Sequence, residues 1–301
     1  MLESVAAFQW HPIDAWMTII AALAGSACAL VGTLLLLRRM SMMADALSHA
    51  VLPGIVVAYL IGGGRGSLVM AAGAAVAAIV AVLLVQWLTA VMRVDRGAAM
   101  GAVLTSLFAA GLLLIVRFAD RVDLDPSCVL YGSLETAAFR RIDLFGVAIP
   151  PAVLGLSAAL ALNLVVVGVL LKEFRLAIFD PDCADVMGIG SGRLHTILMI
   201  LVAITVVASF EAVGSILPVA MIAAPAAAAS LLTRRLIPMI AVAILLACVA
   251  APVGHVGAIV VPALFGAEET VTSGSVATVG LLIFIAVWLA RLALRGRPTS
   301  A

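Results

Sequence analysis

Long apolar runs alternate with short charged or Gly/Pro-rich breaks along the whole chain. The runs are approximately 16–37, 44–61, 68–92, 98–116, 144–171, 194–210, 215–232, 236–253 and 271–294. Most are close to the roughly 20 apolar residues that a helix needs to cross a bilayer. None shows the alternation over about 10 residues that marks a barrel strand. The pattern therefore predicts an all-α, polytopic bundle of eight or nine membrane helices. The segment 252–270, PVGHVGAIVVPALFGAEET, is the soft point of the count and reads as a candidate re-entrant segment.

Composition supports lipid as the solvent. The chain has 301 residues, 65% hydrophobic and 11% charged, with a mean hydropathy of +1.29. Soluble domains are about half apolar and a quarter charged. The whole chain, 1–301, reads as one transmembrane domain. The net charge of +1 leaves no electrostatic footprint for nucleic acid. The start, MLESVAAFQWHPIDAW, lacks a basic n-region and does not resemble a cleaved signal peptide. Cys28, Cys128, Cys183 and Cys248 are widely spaced, which predicts neither a disulfide nor a thiolate metal site. Cys28 and Cys248 fall in apolar runs and read as small core residues.

Charge gives the orientation. Basic clusters at Arg38–Arg39, Arg93/Arg96, Lys172/Arg175/Arg193, Arg234–Arg235 and Arg291/Arg295/Arg297 occupy alternate connections. The positive-inside rule puts them in the cytoplasm, with the N-terminus outside. Arg117, Arg121, Arg140 and Arg141 depart from the pattern. One inner connection, 172–192, differs from the rest. Asp180-Pro181 is a helix-start signal, and Gly188 and Gly190 are stop signals. A short helix over 183–187 follows, lying across the inner face. An ordinary linker turn is the other reading.

No Walker A, HExxH or GxSxG pattern occurs, so any ATP-driven activity needs a partner chain. The candidate chemistry lies in the second span. Asp45 and His49 are four residues apart, on one helix face about 6 Å apart. His49 follows Arg39 by ten residues, roughly 15 Å of helix, or half of a hydrocarbon core about 30 Å thick. Ionisable groups at that depth mark ion paths. Oxygen and nitrogen donors suit manganese, iron and zinc. Pro53 gives no N–H to the His49 carbonyl, and Gly54 permits a kink, as in the broken helices of transport sites. A metal site and a hydrogen-bonded Asp–His staple both remain open.

Other residues carry weaker signals. Met40, Met42 and Met43 suit copper(I) less well than interfacial filler. Glu211, before Gly214 and Pro218, is either an ion contact at the outer mouth or an interfacial carboxylate. Asp120, Asp123 and Asp125 read as a solvated loop that concentrates cations. His255, Glu268 and Glu269 fall in the last external segment. His195 reads as a surface residue, and His11 carries no assignment.

The stretch RRMSMMADALSHAVLPGIVVAYLIG resembles the signature of permeases of manganese, zinc and iron ABC importers, R-R-x-x-x-x-x-D-A-L-S-H-A-x-L-P-G. MRVDRGAAMGAVLTSLFAAGLLLI, RVDLDPSCVLYGSLE and FEAVGSILPVAMIAAPAAAASLLTRR resemble further family segments, so the likeness runs from about 16 to 294. Met42-Met43 and Pro218 depart from the family pattern. The resemblance implies a cell-membrane permease with no permanently bound cofactor. It implies a homodimer, or a heterodimer with a sister permease, surrounded by membrane lipid. It also implies cytoplasmic ATPases and an extracytoplasmic metal-binding protein as partners. Asp45 and His49 would serve the metal path, with up to four ligands from two subunits. The helix around Pro181–Gly188, with Asp180, Asp182 and Asp185, would be the coupling helix that docks on the ATPase. An ion-coupled secondary metal transporter is the principal rival, and an intramembrane metalloenzyme a further one.

Overall fold

The computed structural model describes residues 10–62, 67–118, 134–144, 147–264 and 270–295. Asp120, Asp123, Asp125, Cys128, Glu268 and Glu269 lie outside the described residues.

Helix α1 (Pro12–Leu37) is the most interior element and packs on five others. After a short turn come α2 (Met43–Ala50) and α3 (Leu52–Gly62), which together span the membrane. α4 (Ser67–Ala90), α5 (Arg96–Arg117) and the short α6 (Leu134–Phe139) follow. Asp95 starts α5, its carboxylate accepting from the Gly97 and Ala98 amides, which supplies partners for otherwise open N–H groups. Beyond a small hairpin, α7 (Pro151–Val169) leads to α8 (Leu171–Phe179) and α9 (Pro181–Val186). The chain closes with α10 (Ser191–Val213), α11 (Ile216–Leu232), α12 (Leu236–Leu264) and α13 (Thr272–Arg295). Among the described residues, eight helices are long and apolar enough to cross a membrane, and α11 is a shorter apolar helix. The chain is a multi-pass membrane protein.

Two boundaries differ from the sequence reading. The fifth run does not start a helix at 144. Ile142–Leu144 (β1) and Val147–Ile149 (β2) form an antiparallel hairpin, with Ile142 opposite Ile149. The Pro150-Pro151 pair then sets the helix start, because the first helical position needs no N–H. Nor is 252–264 re-entrant: α12 runs unbroken through Pro252 to Leu264. Its 29 residues extend about 43 Å, beyond the roughly 30 Å core.

Small residues let the helices approach closely, the usual device where lipid supplies no hydrophobic drive between them. A Cβ on Gly32 of α1 would strike the Ile222 backbone of α11. A Cβ on Gly254 of α12 would strike the Val276 backbone of α13. One buried polar contact joins α7 to α10: Asn163 Nδ2 donates to Thr205 Oγ1 at 2.7 Å. Cys28 is buried as expected, whereas Cys248 faces outward from α12 with Sγ 3.2 Å from Ser26 Oγ. Pro218 is accommodated in the first turn of α11, where few intrahelical bonds are lost.

Candidate metal path and inner connection

The second span breaks where Pro53 predicts. α2 ends at Ala50 and α3 resumes at Leu52. Pro53 supplies no N–H to the His49 carbonyl, and the Val51 N–H turns back to it instead. The Gly54 and Ile55 amides both reach the Val51 oxygen, at 3.0 and 3.2 Å. Gly54 does not adopt positive φ. Its place is explained by packing: a Cβ would collide with the Gly73 carbonyl and the Ala77 side chain of α4. Likewise a Cβ on Gly111 of α5 would press on Leu52 and the Pro53 nitrogen at 3.0 Å. The broken span is thus wedged between α4 and α5.

On this span His49 Nε2 lies 3.6 Å from Asp45 Oδ1. That is longer than a hydrogen bond and within ion-pair range. The two side chains are 34% and 48% exposed on the isolated chain. His49 Nδ1 is buried without a hydrogen-bond partner among the described residues. The Phe108 ring of α5 meets the imidazole edge-on, with centroids 5.6 Å apart, which fixes its orientation. Among the described residues no group of three His, Cys, Asp or Glu side chains could hold a metal. Glu211, exposed at the far end of α10, therefore does not complete the pair. One chain brings two donors together.

Both ends of the bundle carry a second polar feature. At the inner end, a cavity of about 820 Å³ is lined in part by Arg38, Arg39, Met42, Gln86 and Asp95. His195 is not merely a surface residue: its Nδ1 stands 3.1 Å from Arg38 Nη1. Met40 and Met43 are buried, while Met42 is exposed. At the opposite end, His255 Nε2 lies 3.5 Å from Asp14 Oδ1, both largely buried. Trp10 packs edge-on against His255 at 5.9 Å, and the His11 amide donates to Asp14 Oδ2 at 2.8 Å. Sequence reasoning missed the Asp14–His255 pair, because nothing local signals that α1 and α12 meet.

The inner connection folds much as predicted, but α9 spans Pro181–Val186 instead of starting at Cys183. Asp180 Oδ1 caps it by accepting from the Cys183 amide at 3.0 Å. Gly188, at φ +78, adopts the left-handed backbone that follows a helix end, whereas Gly190, at φ +65, is the N-cap of α10. Asp182 is exposed. Asp185 accepts from the Ser191 amide at 2.6 Å and from Ser191 Oγ at 2.9 Å, tying α9 to the start of α10. The backbone bond, then the hydroxyl bond, lowers the Asp185 pKa. The lock is thus complete above the ordinary carboxylate range and is lost as pH falls through the lowered folded value. Asp185→Ala is expected to speed amide exchange at 187–191 several-fold at neutral pH and to leave α7 unchanged. Unchanged exchange at 187–191 contradicts this role.

The sequence matches the ABC 3 transport family over residues 13–291. It is 41% identical over 243 residues to the manganese transport system membrane protein MntD of Bacillus subtilis, covering 80% of this chain and 82% of that protein. It is 34% identical over 209 residues to the zinc transport system membrane protein TroD of Treponema pallidum, covering 69% of this chain and 57% of that protein. It is 35% identical over 246 residues to the chelated iron transport system membrane protein YfeD of Yersinia pestis, covering 81% and 76%. The fold is similar to a chain of PsaBC from Streptococcus pneumoniae, solved in complex with a Fab. The TM-score is 0.75 at 24% identity, covering 98% of this chain and 99% of that one.

Proposed function

Because this chain belongs to the ABC 3 transport family, we propose that it is the permease through which an importer carries manganese, zinc or iron inward, driven by separate ATPase subunits. The Asp45–His49 pair carries the reading. By residue count it stands near mid-membrane, yet it is a third to a half exposed on the single chain. An ionisable pair at that depth does not face lipid, where a single Asp costs at least about 2.5–3.5 kcal/mol. A second permease subunit, or water along a shared axis, covers it. Two donors per chain are also too few for a divalent metal, which commonly takes four or more. A second copy of this chain brings the total to four. The oxygen and nitrogen donors suit all three metals, which are those in the relatives' names.

Energy enters through α9. Its last residue, Val186, and the flanking Phe179 and Met187 are 89%, 61% and 65% exposed, an apolar face on the cytoplasmic side that suits docking on the ATPase. The extracytoplasmic metal-binding protein meets the opposite end. Val186→Arg is expected to leave the chain folded, since that side chain is almost fully exposed, and to lower ATP-driven uptake about tenfold or more, as loss of a central apolar anchor does. Uptake at the unaltered rate contradicts the docking role.

Radiometal uptake in membranes holding the permease, its ATPase and its binding protein tests the whole reading. Uptake should stop on ATP depletion and persist when an uncoupler collapses the proton gradient. The reverse pattern establishes the ion-coupled alternative.

A further inference from the structure

A second inner cavity, of about 1350 Å³, lies between α8 and the start of α12, away from Asp45 and His49. Four lining side chains are cations: Lys172 and Arg175 on α8, and Arg234 and Arg235 ahead of α12. No Asp or Glu lines it. None of the four side chains has a hydrogen-bond or ion-pair partner among the described residues. Four like charges at one opening repel each other and attract an anion. The arginines present planar forks that match phosphate oxygens two at a time.

The surroundings identify the kind of anion. Leu176 and Ile237 also line the cavity, as do Phe179 and Met187 of the docking face beside α9, and Ile237 is 62% exposed. Val169, the last residue of α7, is 73% exposed, and Leu232, the last of α11, is 55% exposed. Val169 ends a helix long enough to cross the membrane and Leu232 a shorter apolar one, so the basic cavity opens where hydrocarbon meets headgroups. Basic pockets between helices on the cytoplasmic side are the usual seats of anionic headgroups. We propose that this cavity binds the phosphate headgroup of an anionic phospholipid of the inner leaflet, with the acyl chains along Val169, Leu232 and Ile237. A protein seated on Phe179 and Met187 would use the cations but would leave Val169 and Leu232 uncovered. The headgroup would join α8, which runs directly into the Asp180 cap of α9, to the base of α12.

The test uses the full chain purified in neutral detergent, titrated with phosphatidylglycerol or with phosphatidylcholine of the same acyl chains and followed by native mass spectrometry. Phosphatidylglycerol should bind more tightly, and each cation removed in Arg175→Gln, Arg234→Gln and Arg235→Gln should reduce that preference about fivefold. Inorganic phosphate should not compete at equal concentration. Equal binding of the two lipids by the unaltered chain overturns the proposal, as does an undiminished preference in the triple variant. Effective competition by inorganic phosphate also overturns it. So does a variant that keeps its lipid preference but no longer captures the ATPase, which would make the cluster a protein-docking surface. If the triple variant does not fold, salt decides with the unaltered chain. At about 1 M, where screening shortens to roughly 3 Å, the preference should disappear, and one that survives overturns the proposal.

Discussion

Replacing either Asp45 or His49 with Ala is expected to reduce metal uptake by at least about tenfold to a hundredfold, since even residues that only support a metal ligand have effects of that size. The two losses should not add. If both side chains hold the same ion, the double variant should transport little less than either single one. His49→Ala should leave the fold intact, because the side chain is partly exposed and its ring touches Phe108 only edge-on. Asp45→Asn keeps size and one oxygen acceptor while removing the charge. Its uptake should fall close to that of Asp45→Ala if charge on the ligand matters. The measurement is initial-rate radiometal uptake, normalised to permease in the membrane. Single variants that transport at the unaltered rate remove the pair from the path.

The largest structural effect should come from Gly54. A Val there places its Cβ against the Gly73 carbonyl and Ala77 of α4, and backbone cannot rotate out of the way as a side chain can. Overpacking of this kind costs about 1–3 kcal/mol and at times more. Each kcal/mol should lower the thermal midpoint in detergent by about 2–4 °C. Because α3 continues from the helix that carries Asp45 and His49, pushing it from α4 should also lower uptake. Gly168→Ala on α7 is the control. A Cβ there meets nothing within 4 Å, so stability should hold or rise slightly. A Gly54→Val protein as stable as the control contradicts the packing account.

The spans were legible because a run of about 20 apolar residues has few alternatives in lipid. The two misplaced boundaries have different causes. Leu144 to Ile149 is apolar apart from Gly146, and hydropathy does not distinguish a strand from the first turn of a helix. Pro150-Pro151 held the correcting signal. At Pro252 the same residue type misled, because close packing of Gly254 on α13 carries α12 past a proline that would end a lone helix. Within the candidate site, the Asp45–His49 spacing and the break before Pro53 were readable, since both are local. The part played by Gly54 was not, because it depends on Gly73 of another helix. The Asp14–His255 pair and the Phe108 contact likewise needed three-dimensional neighbours. The cap at Asp180 was visible as Asp-Pro, whereas the Asp185–Ser191 lock required the turn between two helices to be in place.

The central claim is that Asp45 and His49 hold the passing ion. Metal-edge X-ray absorption of the purified permease loaded with zinc tests it most directly. The unaltered protein should show nitrogen and oxygen ligands at about 2.0–2.2 Å, with outer-shell scattering from imidazole. Asp45→Ala should lose an oxygen ligand, and His49→Ala should lose the imidazole scattering. A spectrum unchanged in both variants would contradict the account.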